Sequence, residues 1–488
     1  MENNIIITSE HFLKYSIQPL WIWYDRFGDI SQKGDLSETI VGQARKEDEY
    51  RKSYFALLEG AKIGEADPKK AFAKTLQLMQ EGVPYICNGC IQIEYKGVVY
   101  RGYPDILEKR EGASLFGNWY YAPMEIKAIS KVQRLERQQL AFYSLILKKI
   151  QGKFPISVKV IDNKRDFVLV TLQEKDVFNT RETTKEIVDI MGGKKPETNV
   201  TTKAKNSPWF NLMFEEAKGK KDISLIRGIN RRGKKGLRDV GINTLDDLIA
   251  CDFSQLPKIP YAPPIRIKKA WLQAKSILEN QVIPMVTLQI PGTGLNLYFT
   301  VMANSSVSYL FGIRVTGDPE REYIKNNNKK NIKFYDNKDG SYFIYFIAEK
   351  EDEKNMWYEF LRWIKILPDN YTVYHYSNAQ KFHLKKLAEK YESCHALETF
   401  QGNLFNVQKT LEDSVALPLY SYSLCDVAQL PCIDFCWRHK KPGISEVSWY
   451  KKWLETGDSK AFQCIIDDAQ DTAKAVEKAL FFICESCK

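Results

Sequence analysis

The sequence lacks a long uncharged apolar run and a cleavable leader. No stretch of its 488 residues approaches the roughly 18 uncharged apolar residues of a membrane span, so we expect no association with a membrane. Residues 1–27 contain only a short apolar run and no basic leader before a small-residue cleavage site, which argues against a secretory signal. Both absences favour a cytoplasmic protein.

Cysteine is sparse, with ten residues in the whole chain. In a chain without a secretory signal, they are expected as reduced thiols or metal ligands more than as disulfides. Closely spaced cysteines occur three times, as Cys87/Cys90, Cys432/Cys436 and Cys484/Cys487. These pairs fall in different predicted domains, so we do not expect zinc. The only set worth testing for zinc joins the last two pairs.

The composition is that of a folded globular protein. Hydrophobic residues make up 44% and aromatic residues 12%, with charges of both signs mixed, which excludes a disordered chain. The length exceeds one ordinary core and predicts about three domains. The net charge of +10 is a modest field on a chain of this size, and it favours an anionic partner such as nucleic acid.

Hydrophobic periodicity predicts an α/β multidomain protein. Residues 1–190 combine a helical start, strand-like runs and a long helix near residues 135–150, typical of an α/β domain. Residues 191–208 are polar, basic and rich in Gly, Pro and Thr, so we predict a linker. Residues 209–281 are helical and basic.

A second α/β domain is predicted over residues 282–488. It begins with the strand-like runs LNLYFTVMA, VSYLFGIRV and SYFIYFIAE. Helices then alternate with the short strand YTVYHY, and the chain ends in a helix from about Lys460.

A candidate metal site lies in the first domain. Asp105 follows Gly-Tyr-Pro at a strand end, and Glu125 and Lys127 lie on one face of the next strand because strand side chains alternate. An antiparallel neighbour would set Asp105 beside them. Carboxylates can hold a hard cation, and a lysine can neutralise charge on phosphate or poise an attacking water. This combination suits metal-dependent phosphodiester hydrolysis.

Further polar residues could join this site. Gln139 and Tyr143 are four residues apart in a helical run and share one face. The helical segment ARKEDEYRK places Asp48 and Glu49 among basic residues. Structural readings stay open: a Glu-x-Lys pair can be a solvated strand face, the Asp after a Pro can cap a turn, and Gln139 can be an exposed helix residue.

The order of these pieces resembles the RecB-like branch of the PD-(D/E)xK nucleases, with a restriction-endonuclease-like α/β core. The matching pieces are Gly-Tyr-Pro-Asp, Glu-Ile-Lys and Gln-Leu-Ala-Phe-Tyr, ending at Tyr143. The resemblance implies Mg²⁺ or Mn²⁺ held by Asp105, Glu125 and the Ile126 carbonyl. It also implies that Lys127 orients or helps to deprotonate the attacking water.

The resemblance implies further roles at this site. Gln139 and Tyr143 would contact DNA or support the site. An early helix of the family supplies a ligand, usually His followed by Glu. Asp48 stands at the His position and Glu49 matches, so Asp48 is expected as a metal ligand.

The basic middle segment resembles a helix-hairpin-helix module. Glycines near Ile229 and Ile242 bracket a short basic helix, and Thr244 caps the next one. Glycine turns let backbone N–H groups approach a phosphate, so non-specific DNA binding is implied. The residues expected to bind DNA are Arg227, Gly228, Arg231, Arg232, Lys234, Lys235 and Gly241. The alternative is a small helical domain with a solvated basic face.

The three segments in this order resemble a bacterial family of RecB-like nucleases with a C-terminal ribonuclease H-like domain, over nearly the whole chain. Intact relatives carry four acidic metal ligands in that domain. Here Thr300, Met302 and Asn403 stand at three of those places, and Asp471 is retained. Because neutral side chains cannot hold two Mg²⁺ ions, we expect this domain to be structural or to bind nucleic acid or protein without cutting.

An iron–sulfur cluster, which relatives hold with four cysteines, is not expected. Gln18, Ser207 and Met213 stand at three of those positions. The leading prediction is therefore a Mg²⁺- or Mn²⁺-dependent DNA nuclease in repair, recombination or defence, acting on single- or double-stranded DNA. The alternative is a non-catalytic DNA-binding or scaffold protein, with a protein partner at the C-terminal domain.

Overall fold

The computed structural model describes residues 5–56, 58–127, 129, 131–252, 254–287, 290, 294–304, 307–317, 333–439 and 445–487. Its contacts divide the chain into two compact units, Met1–Leu225 and Ile226–Lys488. Each unit combines helices with sheets, so the predicted α/β multidomain class is confirmed. In the part of the chain that the structure describes, no helix is long and apolar enough to cross a membrane.

Seven helices of the first unit fall within the described residues. They are α1 (Glu10–Ile17), α2 (Pro19–Phe27), α3 (Glu38–Phe55), α4 (Pro68–Glu81), α5 (Arg134–Gln151), α6 (Glu174–Met191) and α7 (Phe210–Gly219). The strands are β1 (Ile5–Ile7), β2 (Ala61–Lys62), β3 (Tyr85–Cys87), β4 (Ile91–Tyr95), β5 (Val98–Gly102), β6 (Ile106–Ser114), β7 (Gly117–Ile126), β8 (Ser157–Ile161) and β9 (Phe167–Thr171).

The strands of the first unit form two sheets. A six-stranded sheet has the order β2-β3-β6-β7-β8-β9, and a three-stranded sheet has the order β1-β5-β4. Strands β6 and β7 are antiparallel, with Ile106 opposite Met124. This register confirms that Asp105, which immediately precedes β6, lies beside Glu125.

The long helix α5 confirms the helical prediction over residues 135–150. The Glu136 carboxylate accepts a hydrogen bond from the Gln133 N–H at 2.9 Å and so satisfies one free donor at the helix start. Gly152 ends the helix with φ of 73°, a left-handed conformation that suits glycine. The buried face of α5 includes Leu140, Phe142 and Tyr143, which fixes the side of the helix that meets the sheets.

The segment that we predicted as a linker, residues 191–208, packs within the first unit. The Gln18 amide donates to the Asn199 carbonyl at 2.7 Å, and Ser207 is buried. Directly after this segment, Trp209 stacks on Tyr24 with ring centroids 5.4 Å apart. The segment is therefore anchored to helix α2, because the aromatic ring at its end needs an apolar partner.

Ten helices of the second unit are described. They are α8 (Arg231–Asp239), α9 (Leu245–Ala250), α10 (Pro264–Glu279), α11 (Glu353–Ile364), α12 (Ala379–Lys390), α13 (His395–Gly402), α14 (Val407–Ser414), α15 (Leu424–Ala428), α16 (Ser445–Thr456) and α17 (Ser459–Ser486). The strands are β10 (Ile283–Pro284), β11 (Leu295–Ala303), β12 (Ser308–Thr316), β13 (Lys333–Asp336), β14 (Tyr342–Ile347), β15 (Tyr371–His375), β16 (Leu404–Asn406) and β17 (Val415–Ala416).

The main sheet of the second unit has the order β13-β14-β12-β11-β15-β16. Strands β11, β12, β14 and β13 pair antiparallel in that order, whereas β15 pairs parallel with β11 and β16 pairs parallel with β15. The predicted strand runs and the final helix are confirmed. The core is strongly aromatic, and the ring of Phe360 packs near those of Phe299, Phe311 and Phe400.

The unit boundary at residues 225 and 226 differs from our predicted boundaries at 208 and 281. The basic helices belong to the same unit as the C-terminal sheet, and Lys269 of α10 forms an ion pair with Asp413 at 2.6 Å. The Gln273 amide also donates to the Leu419 carbonyl at 3.2 Å. Three short helices cannot bury enough apolar surface alone, which explains why they pack on a larger neighbour.

Candidate metal and nucleic-acid sites

Asp105 and Glu125 form a buried carboxylate pair in the first unit. Their residues are 6% and 2% exposed. The Asp105 N–H donates to Glu125 Oε1 at 3.2 Å, and the Ile126 N–H donates to Asp105 Oδ2 at 2.8 Å. The β6–β7 register thus gives each carboxylate one oxygen that accepts a hydrogen bond from a backbone N–H.

Two protein cations neutralise this pair. Arg51 Nε of helix α3 lies 2.7 Å from Asp105 Oδ1, and Lys127 Nζ lies 3.4 Å from Glu125 Oε2. Glu47, also on α3, places its Oε2 3.7 Å from Lys127 Nζ. The site therefore contains three carboxylates and two cations within one cluster.

Burial dominates the electrostatics of the cluster. Loss of solvent, reinforced by Asp105, raises the pKa of Glu125 to about 8. The pKa of Asp105 is also raised by burial, against the opposing effect of Arg51 and Lys127. Burial lowers the pKa of Lys127, but the surrounding carboxylates raise it by more, so its net pKa lies above the ordinary value. The pair is therefore costly to ionise without a cation beside it.

Gln139 and Tyr143 of α5 support the carboxylate pair from one side. The Gln139 amide donates to Glu125 Oε2 at 3.1 Å and to the Tyr143 hydroxyl at 2.9 Å. The Tyr143 hydroxyl in turn donates to Ser9 Oγ at 2.9 Å. Tyr143 is 1% exposed, so of its two predicted roles, the structure favours support of the site over contact with DNA.

Asp48 is not brought to the carboxylate pair. Its side chain is 49% exposed, and its Oδ2 lies 2.8 Å from Lys52 Nζ. Its neighbour Glu47 faces the cluster instead, as described above. The structure thus places Glu47, and not Asp48, beside the cluster, because one residue of helix turns a side chain by about 100°.

Sequence reasoning missed Glu47, Arg51 and Ser9. Glu47 and Arg51 lie eight and four residues before Phe55, which is buried at 9% exposure, so the three share one face of α3. The sequence alone does not mark that face, because α3 is mostly polar.

The donor chemistry of the pair fits a hard divalent metal. Carboxylate oxygens, with a backbone carbonyl, are the ligands that Mg²⁺ and Mn²⁺ prefer. In the arrangement described, however, all four carboxylate oxygens of Asp105 and Glu125 already have partners. Among the residues that the structure describes, no group of three or more His, Cys, Asp or Glu side chains is placed to hold a metal ion.

The predicted nucleic-acid residues near α8 fall into two groups. Gly228 and Gly241 have φ of 76° and 89°, so the two turns require glycine. Arg231, Arg232 and Lys235 are exposed. These five residues keep their predicted access to a phosphate backbone.

Arg227 and Lys234 do not share that access. Arg227 forms an ion pair with Glu412 and lies over the Tyr422 ring at 4.9 Å from its centroid. Lys234 is 6% exposed. Both side chains are therefore less accessible to a phosphate than those of Arg231, Arg232 and Lys235, because both are engaged within the second unit.

The positions of the second unit where we expect neutral residues in place of acidic ligands are buried or half-buried. Thr300 and Met302 are buried in β11 at 2% and 4% exposure, and Asn403 immediately precedes β16. Asp471 accepts hydrogen bonds from the Arg438 N–H and Nε, both at 2.8 Å. The one retained carboxylate is thus held by an arginine.

The cysteines of the zinc test set and the positions of the expected iron–sulfur cysteines differ in their burial. Cys432 and Cys436 are exposed, whereas Cys487 is buried with its Sγ 3.7 Å from the Ser414 carbonyl. The four cysteines of the predicted zinc test set form no metal-binding group within the described ranges. Of the three replaced cluster positions, Met213 is fully buried in the apolar cluster that contains Trp209.

The fold and these sites define a multidomain α/β protein with a mixed C-terminal sheet. Residues 304–478 match the model of the RNase_H superfamily, RNase_H_2. The match begins after β11 and reaches into α17, so it includes Asp471. It associates this region with nucleic-acid processing of the nuclease class. A search of curated proteins gave no match for the chain.

Proposed function

We propose that the chain is a Mg²⁺- or Mn²⁺-dependent DNA nuclease whose active site is the Asp105–Glu125–Lys127 cluster. The observation that carries the proposal is the convergence of the three residues. Both carboxylates are nearly fully buried. Glu125 accepts a hydrogen bond from the Asp105 backbone N–H, and Lys127 Nζ lies 3.4 Å from Glu125 Oε2. A buried acidic pair is a costly arrangement that proteins keep at functional sites.

The proposed roles follow from position. Asp105, Glu125 and the Ile126 carbonyl would hold the metal, which supplies charge stabilisation for the phosphodiester when bound. Lys127 would orient the attacking water and balance negative charge on the phosphate. Gln139 would fix the Glu125 carboxylate, and Tyr143 would fix Gln139, as their hydrogen bonds indicate.

DNA binding is proposed for the exposed surface of the basic helices. Arg231, Arg232 and Lys235 would contact phosphates, and the turns at Gly228 and Gly241 would bring backbone N–H groups close to the strand. The RNase_H superfamily region would bind nucleic acid or protein without cutting it, since its Asp471 is held by Arg438.

The test is cleavage of single- and double-stranded DNA by the purified full chain with Mn²⁺. The wild type should give products that EDTA abolishes, and Lys127→Ala should give none while keeping the fold and most of the DNA affinity. Lys69→Ala, which removes an exposed lysine at the start of α4, is the matched control and should cleave normally. Full cleavage by Lys127→Ala would remove this assignment.

A second candidate is a DNA-binding protein without nuclease activity. Arginine side chains hold both Asp105 and Asp471, which is the specific observation in its favour. DNA binding by the wild type without any Mn²⁺-dependent product, under conditions in which a known nuclease cuts the same substrate, would favour this candidate.

A further inference from the structure

The Arg51 guanidinium lies beside Asp105, at the place where the proposed site would hold a metal ion. Its Nε lies 2.7 Å from Asp105 Oδ1, whereas Oδ2 is taken by the Ile126 N–H. A divalent ion bound to Asp105 would therefore share Oδ1 with the Arg51 guanidinium. Two cations on one carboxylate oxygen repel each other.

The position of Arg51 is fixed by the docking of α3. Phe55, one turn further on, packs in a cluster with Ile106, Met124 and Ile126 of strands β6 and β7. Tyr50 packs against the same cluster, and its hydroxyl donates to the Asp162 carbonyl. Because the helix is anchored at both contacts, the guanidinium is held at Asp105 by the fold.

The guanidinium nevertheless has a route away from Asp105. Its side chain is 29% exposed, whereas that of Asp105 is 8% exposed. An arginine side chain has several rotatable bonds and keeps its charge at any physiological pH. It can therefore turn toward solvent without becoming neutral, while the carboxylate stays in place.

We propose that Arg51 is an internal cation that competes with the divalent metal for Asp105, so that metal loading requires the guanidinium to leave. This inference rests on the proposed nuclease function of the same site. It accounts for a buried carboxylate pair that is stable without metal, since Arg51 and Lys127 supply the positive charge. Its consequence is a weak metal site whose affinity is limited by one residue outside the predicted motif.

The test is Mn²⁺ binding to the full chain without DNA, measured by titration calorimetry. Arg51→Met keeps the helix propensity and the aliphatic stem but removes the charge, and it should bind Mn²⁺ about 10-fold or more tightly than the wild type. Lys52→Met is the matched control, because the Lys52 side chain is 75% exposed and its ion-pair partner is Asp48 and not Asp105. The Lys52→Met variant should leave the Mn²⁺ affinity unchanged. Asp105→Asn should abolish Mn²⁺ binding both in the wild type and in the Arg51→Met variant.

A second variant and a second measurement guard against loss of fold. Arg51→Gln keeps a hydrogen-bond donor without the charge and should also bind Mn²⁺ more tightly. Both Arg51 variants should unfold at lower temperature than the wild type in EDTA, because they remove the positive charge beside the buried Asp105 carboxylate. Mn²⁺ should then raise their melting temperature by more than it raises that of the wild type.

Two outcomes overturn the inference and are distinguishable. If the Arg51 variants bind Mn²⁺ no more tightly than the wild type, while Asp105→Asn still abolishes binding, Arg51 does not compete with the metal ion for Asp105. The proposed metal site is then retained. If no protein shows binding that depends on Asp105, the competition and the proposed nuclease function fall together.

Discussion

At the scale of single residues, some positions at the site follow from the sequence and others do not. Those that do not are Glu47, Arg51 and Phe55 on helix α3. The Asp105, Glu125 and Lys127 cluster followed from strand alternation, which has a strict period of two. The phase of α3 did not, because its sequence is mostly polar and gives no clear apolar stripe. A shift of one residue along such a helix exchanges Asp48 for Glu47 at the site.

The exchange predicts a ranking of two variants. Glu47→Gln should slow Mn²⁺-dependent cleavage by about 10-fold or more, a typical effect of losing a residue that orients a metal-site group. Asp48→Asn should cleave at nearly the wild-type rate, because the Asp48 carboxylate is 49% exposed, pairs mainly with Lys52 and reaches Arg51 only at 4.0 Å. Initial rates on one DNA substrate would measure both. The reverse ranking would restore Asp48 as the ligand.

Glu353 of the second unit gives a pH-dependent prediction. It is 2% exposed, accepts from the Ser308 N–H at 2.7 Å and pairs with Lys390 at 2.8 Å. Burial raises its pKa, but these two partners lower it by more, so the net pKa lies below the ordinary value. The carboxylate therefore stabilises the fold at neutral pH, and this contribution is lost as pH falls through the lowered pKa.

Glu353→Gln should accordingly reduce the free energy of unfolding by about 1–3 kcal/mol at pH 7. Its difference from the wild type should shrink as the pH falls through the lowered pKa of the wild-type Glu353 carboxylate. Urea unfolding followed by tryptophan fluorescence at several pH values would measure this. Glu349→Gln is the control, since Glu349 is exposed. A difference that does not vary with pH would contradict the assignment.

At the scale of elements, the end of strand β5 and helix α5 are fitted to each other at Gly102. A Cβ there would lie 2.6 Å from Tyr143 Cδ1, closer than van der Waals contact allows. The sequence predicted the strand and the helix from their periodicity but not this approach, because contacts between distant segments leave no local pattern. Gly102 thus lets Tyr143 reach Gln139 and Ser9.

Gly102→Ala should therefore displace Tyr143. We expect a loss of about 1–3 kcal/mol in unfolding free energy, as for other overpacked sites, together with slower cleavage. Gly64→Ala is the control, because Gly64 has no atom within 4 Å of a built Cβ and no left-handed φ. Equal stability of the two variants would show that the approach is more tolerant than the geometry indicates.

At the scale of the whole molecule, the charge of +10 is only partly available to DNA. Composition predicts a basic protein, but it cannot tell an exposed cation from one paired within a unit. Arg227 and Lys234 are engaged, whereas Arg231, Arg232 and Lys235 are exposed. Fewer of the basic side chains in this segment are therefore available to DNA than the sequence contains.

The triple variant of Arg231, Arg232 and Lys235 to Ala should weaken DNA binding at all sequences alike. If each residue contacts one phosphate, the slope of log affinity against log salt should fall in magnitude by about 2 to 3. Fluorescence anisotropy from 50 to about 200 mM salt would give the slopes. A triple variant of the exposed Lys354, Lys381 and Lys385 should keep the wild-type slope. If neither triple variant changes the slope, the basic helices do not form the DNA-binding surface.

The stacking of Trp209 on Tyr24 has a practical consequence for dissecting the protein. A fragment that stops at residue 190 would strip this indole from helix α2 and expose the apolar rings of Trp21 and Tyr24, which are each 3% exposed in the whole chain. Such a fragment should aggregate on expression. A fragment carried through to Leu225 retains the covering residues and is the one to prepare for crystallisation.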